Sequence, residues 1–299
     1  MTPNSLYIAA SEVVATVHEQ MADALRALRG PMGGEQVGIR RGAGMEFADH
    51  RLYAPGDDLK RLDWRAYARK DKLFIKQFDQ SVHNNTLIVV DTSASMSLHD
   101  SVDGGDIDKW RQTQLLAAAL LLLIDQADHR LGLLTLSSDR QQANAHSKPC
   151  RALIQTLSEE QPQGSADLTH WLNVDRQRQW ANVVVLSDCL ADPDQCVAPL
   201  VGLKRGGSNL CLVHTLHPLE LDFSFQGAVK LACAETEQTL RVEPALIRSR
   251  YQSMMAKHCE DLRLCSERMG VQYCLADLGR NVTSLLRDVM ISMRRGGLR

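Results

Sequence analysis

Asp91, Ser93 and Ser95 set one carboxylate and two hydroxyls at alternate positions, a D-x-S-x-S pattern directly after the apolar run Leu87-Ile88-Val89-Val90. A short apolar run of this kind reads as a strand buried in a parallel sheet. Oxygen ligands on a tight loop at the carboxyl end of such a strand can converge on one hard cation, and open α/β sheets collect their ligand sites there. Magnesium asks for near-octahedral oxygen ligation and keeps several waters, so a partial protein set suits it. The same residues can also serve as a plain polar turn. A second run, Val183-Val184-Val185-Leu186, ends in Ser187-Asp188. In a parallel sheet its end lies on the same edge, so Asp188 can support the same cation directly or through water. The alternative is that Ser187 or Asp188 caps a helix begun by Asp192-Pro193.

Other chemistries leave weaker traces. Residues 32–45 are rich in glycine, but no G-x-x-x-x-G-K-[ST] phosphate-binding loop occurs. No G-x-S-x-G elbow marks a serine nucleophile. The histidines show no paired spacing, and His217, just after a strand end, reads as a structural loop residue. The eight cysteines form no C-x-x-C pair and several lie in apolar strands, so they read as free thiols in the core.

The elements that must hold the strand ends follow from periodicity. Residues 4–29 have helical spacing and end at Gly30-Pro31. From 73 onward strands and helices alternate: strands at 73–79, 86–91, 131–136, 182–187, 209–215 and 271–275, and helices at 108–126, 149–158, 167–173, 194–204, 244–269 and 281–295. Such alternation predicts a doubly wound, mainly parallel α/β sheet covered on both faces, with an N-terminal helix. Residues 216–243 break the alternation, and short strands at 227–233 and 238–242 predict a β-hairpin or an added edge. The expected division is residues 1–80, helix plus charged segment, and 81–299, the α/β domain.

Residues 40–78 hold ten Lys/Arg and six Asp/Glu, with Phe47, Tyr53, Trp64, Tyr67, Phe74 and Phe78 interleaved. Arg51, Asp57, Asp58, Asp63, Trp64 and Arg69 are the residues to watch there. They serve either as ion pairs and turn contacts that support the fold or as an interface of the Arg-and-aromatic kind. The basic excess is too modest to point to nucleic acid.

The 299 residues carry a net charge of −2, with 44% hydrophobic and 23% charged side chains, an ordinary globular balance. No apolar run approaches the ~20 residues of a membrane span; Leu115 to Ile124 reads as a buried helix. The first thirty residues lack a signal-peptide pattern and the thiols suit a reducing compartment, so the expected location is cytoplasmic.

Arg41-Gly42-x-Gly44-x-Glu46-Phe47, Arg51-x-Tyr53-x-Pro55-Gly56-Asp57-Asp58, Asp63-Trp64 and Ala68-Arg69, followed by Asp91-x-Ser93-x-Ser95-Met96 and Leu186-Ser187-Asp188, resemble the signature of the bacterial DUF58 family. His217-x-x-Glu220 and Tyr251 are similar too. That family resembles von Willebrand factor A domains. The resemblance implies a metal-ion-dependent adhesion site (MIDAS), in which D-x-S-x-S, a threonine from a second loop and an aspartate from a third hold magnesium. A partner's carboxylate completes the shell. Here the second loop corresponds to Gly164-Ser165-Ala166-Asp167-Leu168, with Ala166 at the threonine position. Ser165, Asp167 or a water would have to substitute, which implies weak or partner-dependent Mg2+ (or Mn2+) binding. The resemblance further implies work beside a MoxR-type AAA+ ATPase and a client protein bearing an acidic residue.

The function expected from these readings is a non-enzymatic, metal-dependent protein-binding adaptor. The alternative is a magnesium-dependent hydrolase using the same strand-end pocket, with Asp91 helping to ligate a water-activating ion.

Overall fold

A strand covered by helices on both faces needs an apolar side chain at nearly every position, and Leu87, Ile88, Val89 and Val90 are each 0% exposed. The computed structural model describes residues 1–18, 46–52, 73–79, 85–100, 107–126, 130–136, 149–165, 180–204, 208–232 and 239–295. Its elements are α1 (Pro3–His18), β1 (Glu46–Leu52), β2 (Phe74–Asp79), β3 (Asn85–Asp91), a 3-10 turn at Ala94–Ser97, β4 (His99–Asp100), β5 (Ile107–Asp108), α2 (Lys109–Asp125), β6 (Arg130–Leu136) and α3 (Cys150–Glu159). There follow β7 (Asn182–Ser187), α4 (Pro193–Lys204), β8 (Asn209–Leu216), α5 (Pro218–Asp222), β9 (Val229–Ala232), β10 (Thr239–Val242), α6 (Pro244–Met269), β11 (Gln272–Asp277) and α7 (Val282–Arg295).

Five strands form one parallel sheet in the order β11-β8-β7-β3-β6. In chain order this is 2-1-3-4-5, so the winding direction reverses between β3 and β7. That reversal opens the crevice where doubly wound sheets place their ligands. Alternate residues of each strand feed two separate cores. Ile88, Val90, Val184, Leu186, Cys211 and Val213 pack on one face with α1, α2, α3 and α7. Leu87, Val89, Val183, Val185, Leu210 and Leu212 pack on the other with α4 and α6. The mainly parallel α/β sheet expected from the alternation is present.

Helix α2 is buried almost all round: from Leu116 to Ile124 no side chain exceeds 7% exposure. Among the described residues no helix is long and apolar enough to cross a membrane. β9 and β10 form the expected antiparallel hairpin. On α6, Leu262 and Cys265 are buried, whereas Met254 is 64% exposed.

Two expectations need correction. β2 does not lead into the parallel sheet; it pairs antiparallel with β1 in a two-stranded sheet of its own. Phe-Ile-Lys-Gln-Phe-Asp carries Lys76, Gln77 and Asp79 within six residues and does not have the continuous apolar run that lets Leu87–Val90 be covered on both faces. The first helix also does not group with the charged segment. The chain divides into one unit of residues 1–32 and 84–299 and another of 33–83. Leu6, Ala10, Val14 and Val17 of α1 are at most 2% exposed and belong to the core around α2. The i, i+4, i+8 spacing with Val17 makes a single stripe that has to be buried. The expected helix at 167–173 lies outside the described residues.

Candidate cation site at the sheet edge

Asp91 ends β3 at the reversal point and is 3% exposed. Its Oδ1 accepts the Ser93 N–H at 2.8 Å, and its Oδ2 accepts the Ser187 hydroxyl at 2.6 Å from the end of β7. The Ser93 and Ser95 hydroxyl oxygens lie 2.9 Å apart. Adjacent oxygens of an octahedron with metal bonds of ~2.1 Å are separated by about 3 Å, so the two hydroxyls already span one edge of a magnesium shell. The donor set of one carboxylate and two hydroxyls thus fits a hard cation. Among the described residues no three His, Cys, Asp or Glu side chains are grouped to hold a metal, so any site here depends on hydroxyl oxygens.

Two backbone hydrogen bonds fasten the second loop to this one. Gln163 N–H donates to Thr92 O at 2.8 Å, and Ala94 N–H donates to Gly164 O at 2.9 Å. Gly164 takes φ +68°, a left-handed turn suited to glycine, and brings the chain to the exposed Ser165. Ala166 and Asp167 lie outside the described residues. So do Asp57, Asp58, Asp63, Trp64 and Arg69, whereas Arg51 is placed on β1 by its backbone.

Asp188 is also brought to the site, 4% exposed, in the loop after β7. It does not cap α4. Asp192 does, accepting the Asp194 N–H on Oδ1 at 3.0 Å. The loop turns at Cys189, whose φ of +42° is left-handed and costly for a residue with a Cβ. Two histidines hold it. His214 Nε2 donates to Asp188 O and His258 Nε2 donates to Cys189 O, both at 2.8 Å. His214 Nδ1 then accepts the Tyr273 hydroxyl at 2.8 Å, which identifies its neutral tautomer.

The residue that sequence reasoning missed is Lys109. It is the first residue of α2, and its side chain is fully buried. Its Nζ donates to Asp188 Oδ2 at 2.8 Å, to Glu220 Oε1 at 2.7 Å and, more weakly, to the Ser95 carbonyl at 3.4 Å. Burial alone would lower its pKa; the Asp188 and Glu220 charges outweigh that and raise it. Glu220 belongs to α5, a five-residue helix opened by His217-Pro218. Its Oε2 accepts the His217 N–H at 2.7 Å, while His217 Nδ1 accepts the Leu219 N–H at 3.1 Å. His217 is therefore a helix cap, and the Tyr251 hydroxyl steadies the same turn through Glu220 O at 3.0 Å. Among the described residues Lys109 is the only cationic side chain bonded to this group of carboxylates. Burial, reinforced by the nearby Asp188 charge, pushes the Asp91 carboxyl above its ordinary range.

His214 makes stability depend on pH. Burial lowers its pKa from 6.5 to about 4, against a smaller upward pull from its bond to the Asp188 carbonyl. The folded chain thus favours the neutral ring. Its contribution is whole above pH 6.5, the unfolded value, and is lost as pH falls toward 4. At 1.36 kcal/mol per unit the loss approaches about 3 kcal/mol. Urea unfolding at pH 7 and pH 4.5 should show a larger drop for the wild type than for His214→Gln. Equal drops would assign the acid sensitivity to other groups.

Comparison with known proteins finds relatives of the chain. Uncharacterized proteins of Mycobacterium bovis and Mycobacterium tuberculosis are 26% identical over 298 residues, spanning 93% of this chain and 92% of their own length. Two solved structures show a looser likeness. They are an aerotolerance-related membrane protein from Bacteroides fragilis (TM-score 0.46) and the conserved hypothetical protein BatB from Bacteroides thetaiotaomicron (0.45). Each is 12% identical and covers 71% of this chain and 98% of its own. The model of the family described as "protein of unknown function DUF58" matches residues 49–261, a span that includes Asp91, Lys109, Asp188 and Glu220, and the chain belongs to that family.

Proposed function

We propose that this chain is a non-enzymatic, metal-dependent protein-binding adaptor with a von Willebrand factor A-like adhesion site at the β3–β7 edge. The observation that carries this reading is the meeting of the Asp91 carboxylate with two hydroxyl oxygens 2.9 Å apart at the point where the sheet reverses. Charge balance supports it. Asp91, Asp188 and Glu220 are three carboxylates served by one ammonium, and a divalent cation would bring the group to neutrality. Asp91, Ser93 and Ser95 would hold magnesium or manganese, with Asp188 in support and Ser165 and Asp167 as second-loop candidates. When bound, the ion offers an open coordination position to a carboxylate of the partner.

The partner we propose is a separate MoxR-type AAA+ ATPase, with an acidic-residue-bearing protein as client. The test is surface-immobilised chain against the purified ATPase, with magnesium and with chelator. Chelator and Asp91→Ala are each expected to weaken binding at least about tenfold, a loss of about 1.4 kcal/mol. Circular dichroism should show Asp91→Ala still folded. Binding indifferent to both treatments would overturn the metal-bridged reading. Magnesium-dependent turnover of phosphoesters that Asp91→Ala abolishes would replace the adaptor with a hydrolase.

A further inference from the structure

A lysine in the first turn of a helix faces the positive end of the helix dipole, and a fully buried lysine needs strong compensation. Lys109 faces both conditions. Its ammonium has three protons, and the three acceptors are Asp188 Oδ2, Glu220 Oε1 and the Ser95 carbonyl. Two of these acceptors belong to residues that would surround the metal. The ammonium therefore lies against the back of the D-x-S-x-S loop and already holds the third-loop aspartate. Position is fixed from both sides. Asp108 caps α2 by accepting the Arg111 N–H at 2.9 Å, and the Lys109 N–H is tied to Leu98 O at 3.0 Å.

We infer that Lys109 sets the affinity of this site for its divalent cation: it is a resident positive charge that keeps the free chain folded without metal and opposes metal entry until a partner's carboxylate arrives with it. The inference rests on the metal-dependent reading above. A fixed monovalent cation beside a divalent one repels it strongly in a dry site. It also occupies one oxygen of Asp188. Glu220, by contrast, meets the lysine and its own helix cap and has no bond to Asp91, Ser93 or Ser95 among the described contacts. Removing the ammonium should thus matter more to the metal than removing Glu220.

Manganese alone serves as the probe, with free Mn2+ read by electron paramagnetic resonance in titrations of the full chain. Lys109→Met is expected to bind Mn2+ at least tenfold more tightly than wild type. Its melting temperature should fall in chelator and recover with Mn2+, while that of the wild type changes little. Lys109→Arg, which keeps the charge, should resemble wild type. Should Lys109→Met fail to fold, the double variant Lys109→Met/Glu220→Gln removes one charge of each sign and still frees Asp188; it too should bind more tightly than wild type. If wild type binds Mn2+ and neither lysine-to-methionine variant binds it more tightly, Lys109 is only a structural ion-pair partner and the inference falls. If no variant and no wild type binds Mn2+, the metal-dependent reading itself falls and this inference with it.

Discussion

Glu220→Ala is expected to cost about 3–5 kcal/mol of stability, the range for breaking a buried ion pair from one side. Two losses combine. Lys109 keeps only Asp188 as an ionic partner while remaining fully buried. The His217 N–H loses its acceptor at the head of α5. Glu220→Gln separates them, since the amide oxygen can still take the cap hydrogen bond but brings no charge, and it should recover part of the loss. Urea denaturation followed by far-UV circular dichroism measures both. A change below about 1 kcal/mol in Glu220→Ala would mean that the Lys109 ammonium reaches water, and its burial would have to be reconsidered.

Gly132→Val is expected to cost at least about 3 kcal/mol, at the upper end of what overpacking a filled core does. Gly132 sits in β6 opposite Leu87 of β3. A Cβ built on it would run into the Trp180 indole, with Cζ2 at 2.9 Å, and would press on Leu87 Cδ1 at 3.1 Å. Trp180 is 7% exposed and fills the place where a side chain would go. The glycine is there for the indole, not for backbone freedom. Tryptophan fluorescence should shift toward a solvent-exposed spectrum as stability drops. Unchanged stability would show that the indole can swing away without loss.

Much of the sheet could be read from local pattern. Leu87–Val90 and Val183–Leu186 are uniformly apolar, and a strand covered on both faces needs nothing more subtle. The strand ends at Asp91 and Ser187 followed from the same runs, so the meeting of Asp91 with Ser187 and Asp188 was within reach. The Lys109 bonds were not, because their partners stand 79 and 111 residues away. One signal was available: a lysine directly after the capping Asp108 is a poor choice for a solvated helix start. Helix α5 was missed because five residues carry no periodicity, though His217-Pro218 with Glu220 is itself a cap pattern. β2 was misassigned because seven residues of mixed pattern do not say which sheet they join. For α1 the apolar stripe was plain, but which surface covers it is a long-range fact.

The wide spacing of the bonded residues has a consequence for how the chain is made. Ser187 lies 96 residues beyond Asp91, and Glu220 lies 111 beyond Lys109. At about 5–20 residues per second, Glu220 is synthesised roughly 6–22 s after Lys109. Parallel strands pair late in any case, because long loops must close first. For that interval the nascent chain carries an apolar α2 whose lysine has first no ionic partner and then, once Asp188 is made, only one of its two. The last charge to arrive, on a helix of only five residues, completes the pairing of that lysine. A premature stop between β8 and α5 would therefore leave four of the five parallel strands around an ammonium paired with Asp188 alone, a product suited to rapid removal by proteolysis rather than to partial activity.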